Sequence, residues 1–231
     1  MSKNKLQTCL RIISVLVFQL LLASCFSLDS KAIDPTEHPN LVDQSWLSDQ
    51  LCTVPCWYGL ILGESSRVDA IAVAESLAFL DSKDVKLMAT TGASFLCKEP
   101  PNEVCVAMGF EHGVLSNLWI YPNYQITLEQ VVKKLGPPDS FYFSYKDPES
   151  KNCNLSLLWL HRQIILGHSE TQHGFQDDLC DRIYKEKGKI PKGLLVQGVN
   201  YKTLNEIKMI IETIQEPGTG QNYMLWKGFS D

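Results

Sequence analysis

The chain has 231 residues, enough for one well-packed domain, and its charge argues against some classes of partner. It contains 21 Lys and Arg residues against 26 Asp and Glu residues, which gives a formal net charge of −5. Loss of residues 1–24 would remove Lys3, Lys5 and Arg11 and lower the net charge by three, to −8. A surface of that sign repels phosphate backbones, so nucleic-acid binding is not expected.

The first 24 residues have the three-part layout of an export signal. Lys3, Lys5 and Arg11 form a basic start, residues 12–22 form an apolar stretch, and small residues follow. The apolar stretch is about half of the roughly 20 residues that cross a bilayer as a helix, which disfavours a permanent membrane span. We therefore predict a signal peptide over residues 1–24.

Residues 22–25 read Leu-Ala-Ser-Cys, and this pattern resembles the lipobox of bacterial lipoproteins. The resemblance implies cleavage before Cys25 and attachment of diacylglycerol to its sulfur. The alternative is an ordinary secretory signal that is cut nearby and leaves Cys25 unmodified. With the lipobox, the chain is predicted to be anchored to the extracytoplasmic face of a bacterial membrane, and the choice between inner and outer membrane stays open.

Residues 25–44 contain few large apolar residues and several Ser, Asp, Pro and Asn residues, a composition typical of a flexible tether. The rest of the chain, residues 45–231, is predicted to form a single α+β domain.

Six cysteines remain after Cys9 leaves with the signal and Cys25 receives lipid, and an even number in an exported protein indicates disulfides. Spacing alone does not fix the connectivity. The preferred set is local and pairs Cys52 with Cys56, Cys97 with Cys105, and Cys153 with Cys180. The middle pair has the clearest reason, because residues 98–103 read Lys-Glu-Pro-Pro-Asn-Glu and predict a turn between two extended segments.

Three segments carry helix signals. Each starts with Ser or Thr followed three residues later by Asp, Gln or Glu, at Ser66, Thr127 and Thr203. The first is predicted to run to about Leu80. Gly136-Pro137-Pro138 and Pro217-Gly218 are stop signals for the second and third.

Runs of β-branched and aromatic residues predict strands joined by connections too short for parallel crossovers. The predicted strands are Val104–Phe110, Val114–Tyr121, Ser140–Tyr145, Leu155–His161, Ile164–His168, Leu194–Val199 and Tyr223–Lys227. The order predicts two tandem modules, each a helix followed by about three antiparallel strands. They cover about residues 59–121 and 122–175, and residues 176–231 add a C-terminal helix and strand.

The segment Gly59–Ser66 leads into the first helix, and Leu128–Pro138 ends the second in Leu-Gly-Pro. These segments resemble modules of two families, the small lipoprotein of β-barrel assembly and the β-lactamase inhibitor protein. The resemblance implies helices packed on one face of an antiparallel sheet and a function of binding other proteins.

No motif predicts catalysis, a cofactor or a metal site. Cys52 and Cys56 have three intervening residues, whereas thiol oxidoreductases use two, so a structural disulfide is preferred. A group of polar residues without the fixed spacing of a zinc motif is interpreted as a loop after a strand. This group contains His161, His168, Glu170, His173, Asp177, Asp178 and Cys180.

Aromatic residues are the remaining binding candidates. Phe141, Phe143 and Tyr145 share one face of a predicted strand, and Trp57, Tyr58 and Trp226 lie elsewhere. Packing in the core is the default for such residues, whereas exposed rings mark contacts to proteins or sugars.

The sequence therefore predicts a non-catalytic protein-binding or envelope-assembly module on a lipid anchor. The first alternative is a cell-surface module that binds a glycan or peptide, and the second is a thiol oxidoreductase or hydrolase with unrecognised spacing.

Overall fold

The structure is a computed structural model that describes residues 34–47, 56–88, 91–145, 153–169, 179–215 and 221–230, all within one compact unit. Its helices are α1 (Arg67–Ser76), α2 (Leu128–Leu135), α3 (Leu179–Lys185) and α4 (Leu204–Gln215). The first strands are β1 (Cys56–Trp57), β2 (Leu60–Ile61), β3 (Leu80–Met88), β4 (Gly92–Cys97), β5 (Val104–Glu111) and β6 (Val114–Ile120). The later strands are β7 (Ser140–Tyr145), β8 (Cys153–Trp159), β9 (Ile164–Ser169), β10 (Ile190–Pro191), β11 (Gly198–Tyr201), β12 (Gln221–Leu225) and β13 (Phe229–Ser230).

Nine of these strands form one sheet in the order β12-β7-β8-β9-β11-β6-β5-β4-β3, and every pair in it is antiparallel. Two small pairs lie apart from it, β1 with β2 and β10 with β13. The predicted α+β class and antiparallel sheet are thus confirmed.

One row of cross-strand neighbours passes through all nine strands and is apolar throughout. Paired residues in a sheet point to the same face, so the row defines the core side. From β3 to β12 it contains Val85, Phe95, Val106, Ile120, Val199, Leu166, Leu157, Phe141 and Met224. The seven central members are buried. Buried residues of α1, α2 and α3 pack in the same cluster, including Ala70, Val131 and Ile183.

Helix α4 packs on the opposite face of the sheet. Its Ile207 forms a separate small cluster with Leu158 of β8 and Ile165 of β9. The prediction that helices occupy one face therefore holds for α1 to α3 and has to be corrected for α4. Helix α4 follows β11, which lies in the middle of the sheet, and its apolar residues contact the side opposite the main core.

The two predicted modules are joined within the sheet. Helix α1 is followed by four strands, β3 to β6, and α2 by three, β7 to β9. Strand β11, from the C-terminal extension, lies between β9 and β6 and pairs with both. The extension also contributes the edge strand β12. The C-terminal extension is therefore an integral part of the sheet.

The predicted helix starts are confirmed at each of the three positions. The Ser66 hydroxyl accepts a hydrogen bond from the Asp69 backbone at 3.2 Å, and Thr127 with Gln130 forms a complete capping box. Glu206 accepts from the Thr203 backbone N–H at 2.8 Å, which caps α4 in the same way. Helix α1 ends at Ser76, four residues before the predicted end.

Two of the three predicted disulfides are confirmed within the described residues. Cys97 at the end of β4 is bonded to Cys105 of β5 across the predicted turn, with Cα atoms 4.9 Å apart. Cys153 of β8 is bonded to Cys180 of α3 and spans 27 positions. Cys56 is also disulfide-bonded, and its predicted partner Cys52 lies outside the described residues.

Candidate protein-binding face

Several aromatic residues proposed from the sequence are core residues. Phe141 and Phe143 are 0% and 1% exposed, and their rings stack with centroids 6.2 Å apart. Trp226 is half-buried against Phe229, and the side chain of Tyr145 lies outside the described part of the chain. The strand bearing these phenylalanines was predicted correctly, but the face with most rings is the one that packs against the helices.

Trp57 and Tyr58 take part in a buried hydrogen-bonded cluster around Asp43. The Trp57 indole N–H donates to Asp43 Oδ2 at 2.7 Å, and the Tyr58 hydroxyl donates to Oδ1 at 3.3 Å. The Ser45 backbone N–H and hydroxyl donate to Oδ1 at 2.9 and 2.6 Å. With Trp57 buried in this way, its role is structural.

The last residues of the predicted tether, residues 41–44, lie in and beside the same cluster. Val42 and Asp43 are buried, and the Asn123 side-chain amide donates to the Leu41 carbonyl at 2.8 Å. A second bond from this amide reaches the Glu99 carbonyl at 2.7 Å. Residues 41–44 therefore belong to the folded body, because one buried carboxylate and two apolar side chains, Val42 and Trp46, hold this stretch against it.

Burial raises the pKa of Asp43, while the hydrogen bonds from Ser45 and Trp57 act in the opposite direction. Burial and the nearby Asp43 carboxylate likewise raise the pKa of Tyr58 and of Tyr124. An acidic group whose folded-state pKa exceeds its unfolded value stabilises the fold fully below the unfolded value. It loses that contribution as pH rises through the folded-state pKa.

We therefore expect the stability difference between the wild type and Asp43→Asn to depend on pH. The advantage of the wild type should be largest near or below pH 3.8, the ordinary pKa of Asp, and should shrink as pH rises. Denaturant unfolding at a series of pH values measures this. Asp34→Asn is the control, because hydrogen bonds from Thr36 lower the pKa of exposed Asp34 and give the opposite sign. If the advantage of the wild type over Asp43→Asn grew with pH, this would contradict a raised pKa of Asp43 in the folded state.

The polar residues weighed as a metal site are only partly described. His161 Nδ1 lies 3.7 Å from Asp139 Oδ2, and His168 Nδ1 lies 2.8 Å from the Leu195 carbonyl oxygen. Cys180 is disulfide-bonded in α3, so it does not belong to the predicted loop, while Glu170, His173, Asp177 and Asp178 lie outside the described residues. Within the described ranges no three His, Cys, Asp or Glu side chains are grouped to hold a metal ion.

The face opposite the main core presents a different row. It runs from β3 to β12 through Lys86, Ser94, Ala107, Trp119, Asn200, Ile165, Leu158, Ser140 and Leu225. Helix α4 covers Ile165 and Leu158. Trp119, Ala107 and Ser94, by contrast, are partly exposed. Half of this row is therefore accessible to solvent.

A neighbouring row on the same face contains two opposed glycines. Gly198 of β11 pairs with Gly167 of β9, and Gly167 pairs with Ser156 of β8. A methyl group on Gly167 would meet no atom within 4 Å, and one on Gly198 would lie 3.9 Å from the Tyr121 ring. Glycine in a strand interior often marks a place where another backbone or a ligand approaches closely.

We define the open face as the accessible central part of these two rows, from β4 to β9, with the adjoining Asn117 and Tyr121. It consists of Ser94, Ala107, Asn117, Trp119, Tyr121, Gly167, Gly198 and Asn200. Tyr121 is 41% exposed and is its most accessible ring.

Lys202 fixes the position of Trp119 in the open face. Its ammonium lies 5.4 Å from the centroid of the indole ring, forms an ion pair with Glu206 at 3.0 Å and bonds to Asn117 Oδ1. Lys202 is 14% exposed, so this cation–π contact is largely shielded from water. The Asn200 Oδ1 atom beside Trp119 is buried and has no hydrogen-bond partner in the described structure. Lys202 therefore holds Trp119 at one side of the open face.

Comparison of the chain with protein-family models, curated proteins and solved structures finds no match. In the part of the chain that the structure describes, no helix has both the length and the apolar character needed to cross a bilayer. The open face, described by its geometry alone, is therefore the basis for any functional proposal.

Proposed function

We propose that the chain is an exported bacterial lipoprotein, anchored through Cys25, that binds another envelope protein through the open face without catalysing a reaction. The observation that carries the proposal is the composition of the open face. Trp and Tyr dominate the energetically important contacts of protein interfaces, and Tyr, Ser, Gly and Asn are enriched in the binding surfaces of antibodies. A sheet face of this kind offers rigid aromatic anchors at low cost in conformational entropy.

The arrangement around Trp119 favours a protein partner over a glycan. A sugar stacks on a free aromatic face, whereas the Lys202 ammonium already occupies one face of this ring. Tyr121 and the glycine pair beside it leave open space for a side chain of a partner protein.

Alanine substitution on the open face should weaken binding. The measured quantity is the amount of envelope protein that co-purifies with the full chain from detergent-solubilised membranes. We expect Trp119→Ala and Tyr121→Ala each to lower this amount by about tenfold. The matched control is Tyr184→Ala, because Tyr184 is 67% exposed but lies on α3, on the other side of the sheet. Thermal unfolding of each variant separates loss of binding from loss of fold. Equal co-purification with all three variants would contradict the proposal.

The lipid anchor is tested at Cys25. We expect Cys25→Ser to block cleavage of the signal and to prevent acylation, which shifts the electrophoretic mobility of the chain and removes the mass of the lipid. Intact-mass measurement on the purified protein distinguishes these species. A Cys25→Ser chain that is still processed and retained in the membrane fraction would contradict the anchor, and with it the proposed attachment.

A further inference from the structure

Five exposed lysines lie on the side of the sheet that α1 to α3 cover. We call them the basic patch, and they are Lys185, Lys187, Lys189, Lys192 and Lys227. Four of them fall within residues 184–192, at the end of α3 and around β10. The chain as a whole is acidic, with a formal net charge of −5. The charge of this part of the surface is therefore opposite in sign to that of the chain.

Backbone contacts bring the parts of the basic patch together. Strand β10 pairs in parallel with β13, and its flanking residues are Lys189 and Lys192. The Gly188 N–H bonds back to the last turn of α3, which ends at Lys185. A methyl group on Gly188 would lie 3.8 Å from Cδ of Lys227. The lysines therefore occupy one continuous stretch of surface, although Lys227 is distant from the others in the chain.

Described neighbours do not neutralise the basic patch. Glu186 is the one acidic residue within residues 184–192, and its carboxylate pairs with Arg182 at 3.7 Å. Among the described residues, none of the five lysines forms an ion pair. Tyr184 is 67% exposed in the same stretch, and tyrosine favours the headgroup level of a bilayer. Exposed lysines around an exposed tyrosine are complementary to an anionic lipid surface.

We propose that the basic patch contacts anionic phospholipid headgroups of the membrane that holds the anchor. This inference rests on the proposed acylation of Cys25 and extends it. Cys25 and Leu41, where the chain joins the folded body, are 16 positions apart. A chain spans at most about 3.6 Å per residue, so about 55 Å is available for the patch to reach the lipid surface. The anchor keeps these lipids beside the body, which favours them over a soluble acidic protein.

This contact orients the open face away from the bilayer. Ile190 of β10 and the buried residues of α3 pack in the main core cluster, on one side of the sheet. Trp119 lies in the row on the opposite side. With the basic patch against lipid, Trp119 and Tyr121 face away from the membrane surface, where a partner protein can reach them.

The test uses the full acylated chain with a photoreactive amino acid at Tyr184, reconstituted in vesicles that contain a trace of radiolabelled phosphatidylcholine. One set of vesicles is phosphatidylcholine alone, and in the other about one third of the lipid is phosphatidylglycerol. Each lysine near an anionic surface contributes about a fivefold factor, so we expect at least about fivefold more crosslinked lipid in the anionic vesicles. High salt should remove this gain. A triple variant with glutamine at Lys185, Lys187 and Lys189 should remove it as well.

The matched control is a triple variant with glutamine at Lys83, Lys86 and Lys98, which are exposed near the β3 edge of the sheet. It loses the same charge and should keep the gain, and thermal unfolding checks that both variants are folded. Equal loss in the two triple variants would overturn the proposal, because it would mean that net charge alone sets the contact.

Flotation of the vesicles separates failure of this inference from failure of the proposed function. A chain that floats with both sets of vesicles and gives equal lipid crosslinking in them would overturn the lipid contact and leave the anchor intact. A chain that does not float lacks the acyl group, which would contradict the anchor and the inference together. Capture of an acidic protein in place of lipid from Tyr184 in native membranes would also overturn the proposal.

Discussion

Replacement of Asp43 by alanine is expected to lower the free energy of unfolding by about 3 kcal/mol. The carboxylate accepts hydrogen bonds from Ser45, Trp57 and Tyr58, and the indole N–H of Trp57 is buried with it. A buried donor that loses its acceptor costs about 1–3 kcal/mol. Trp57 is 1% exposed, so water cannot take the place of the lost acceptor. Denaturant unfolding with the disulfides intact measures the loss.

Asp34 provides a matched control for this prediction. Its carboxylate accepts from the backbone N–H and hydroxyl of Thr36 at 2.8 and 2.7 Å, the same local pattern that Asp43 makes with Ser45. Asp34 is exposed, so Asp34→Ala should lower stability much less than Asp43→Ala. Asp43→Asn should fall between wild type and Asp43→Ala, because one acceptor oxygen remains. Equal effects at both positions would show that the local turn, and not the buried cluster, stabilises the fold.

Removal of the disulfide between Cys153 and Cys180 is expected to be similarly costly. Closing a loop of 27 positions restricts the unfolded chain, and the double variant with alanine at both positions should lose about 3.5 kcal/mol. Both residues are 0% exposed, and the bond ties α3 to β8.

The disulfide between Cys97 and Cys105 is the control for loop length. It closes 8 positions within a hairpin, so its double alanine variant should lose about 2.5 kcal/mol by the same chain-entropy argument. Denaturant unfolding of both double variants measures the difference. A larger loss for the hairpin disulfide would mean that the loop-entropy account does not explain the stability of this fold.

Local signals in the sequence were sufficient to predict the helix starts and most strands. Thr127 and Thr203 cap their helices through side chains three residues apart, which is a pattern that depends on no distant contact. Strand β7 has the predicted bounds, Ser140–Tyr145, because aromatic residues fill four of its six positions. The hairpin disulfide could be predicted for the same reason, since its turn is local.

Features set by distant pairing were not accessible from the sequence. Strand β3 was missed because an edge strand carries charges that read as a loop. The position of β11 between the two modules depends on pairing with both β9 and β6, far away in the chain. The face that α4 covers is set by its contacts with Leu158 and Ile165, and local periodicity gives no information about it.

The open face could be recognised only from the register. Trp119 lies in a correctly predicted strand, yet the pattern Val-Leu-Ser-Asn-Leu-Trp-Ile does not alternate cleanly because β6 and β5 change register near Gly109 and Phe110. The face of β7 with three aromatic residues was a predicted binding candidate, but Phe141 and Phe143 on this face are core residues. Asp43 was missed as a structural residue because its neighbours have the composition of a tether.

The most direct test of the account is site-specific photo-crosslinking in the native membrane. A photoreactive amino acid at Tyr121 of the full chain, on the open face, should crosslink one defined envelope protein that mass spectrometry identifies. The same amino acid at Tyr184, which is exposed on α3, should not capture it. Capture of that protein from both positions, or no protein product from Tyr121, would contradict binding through the open face.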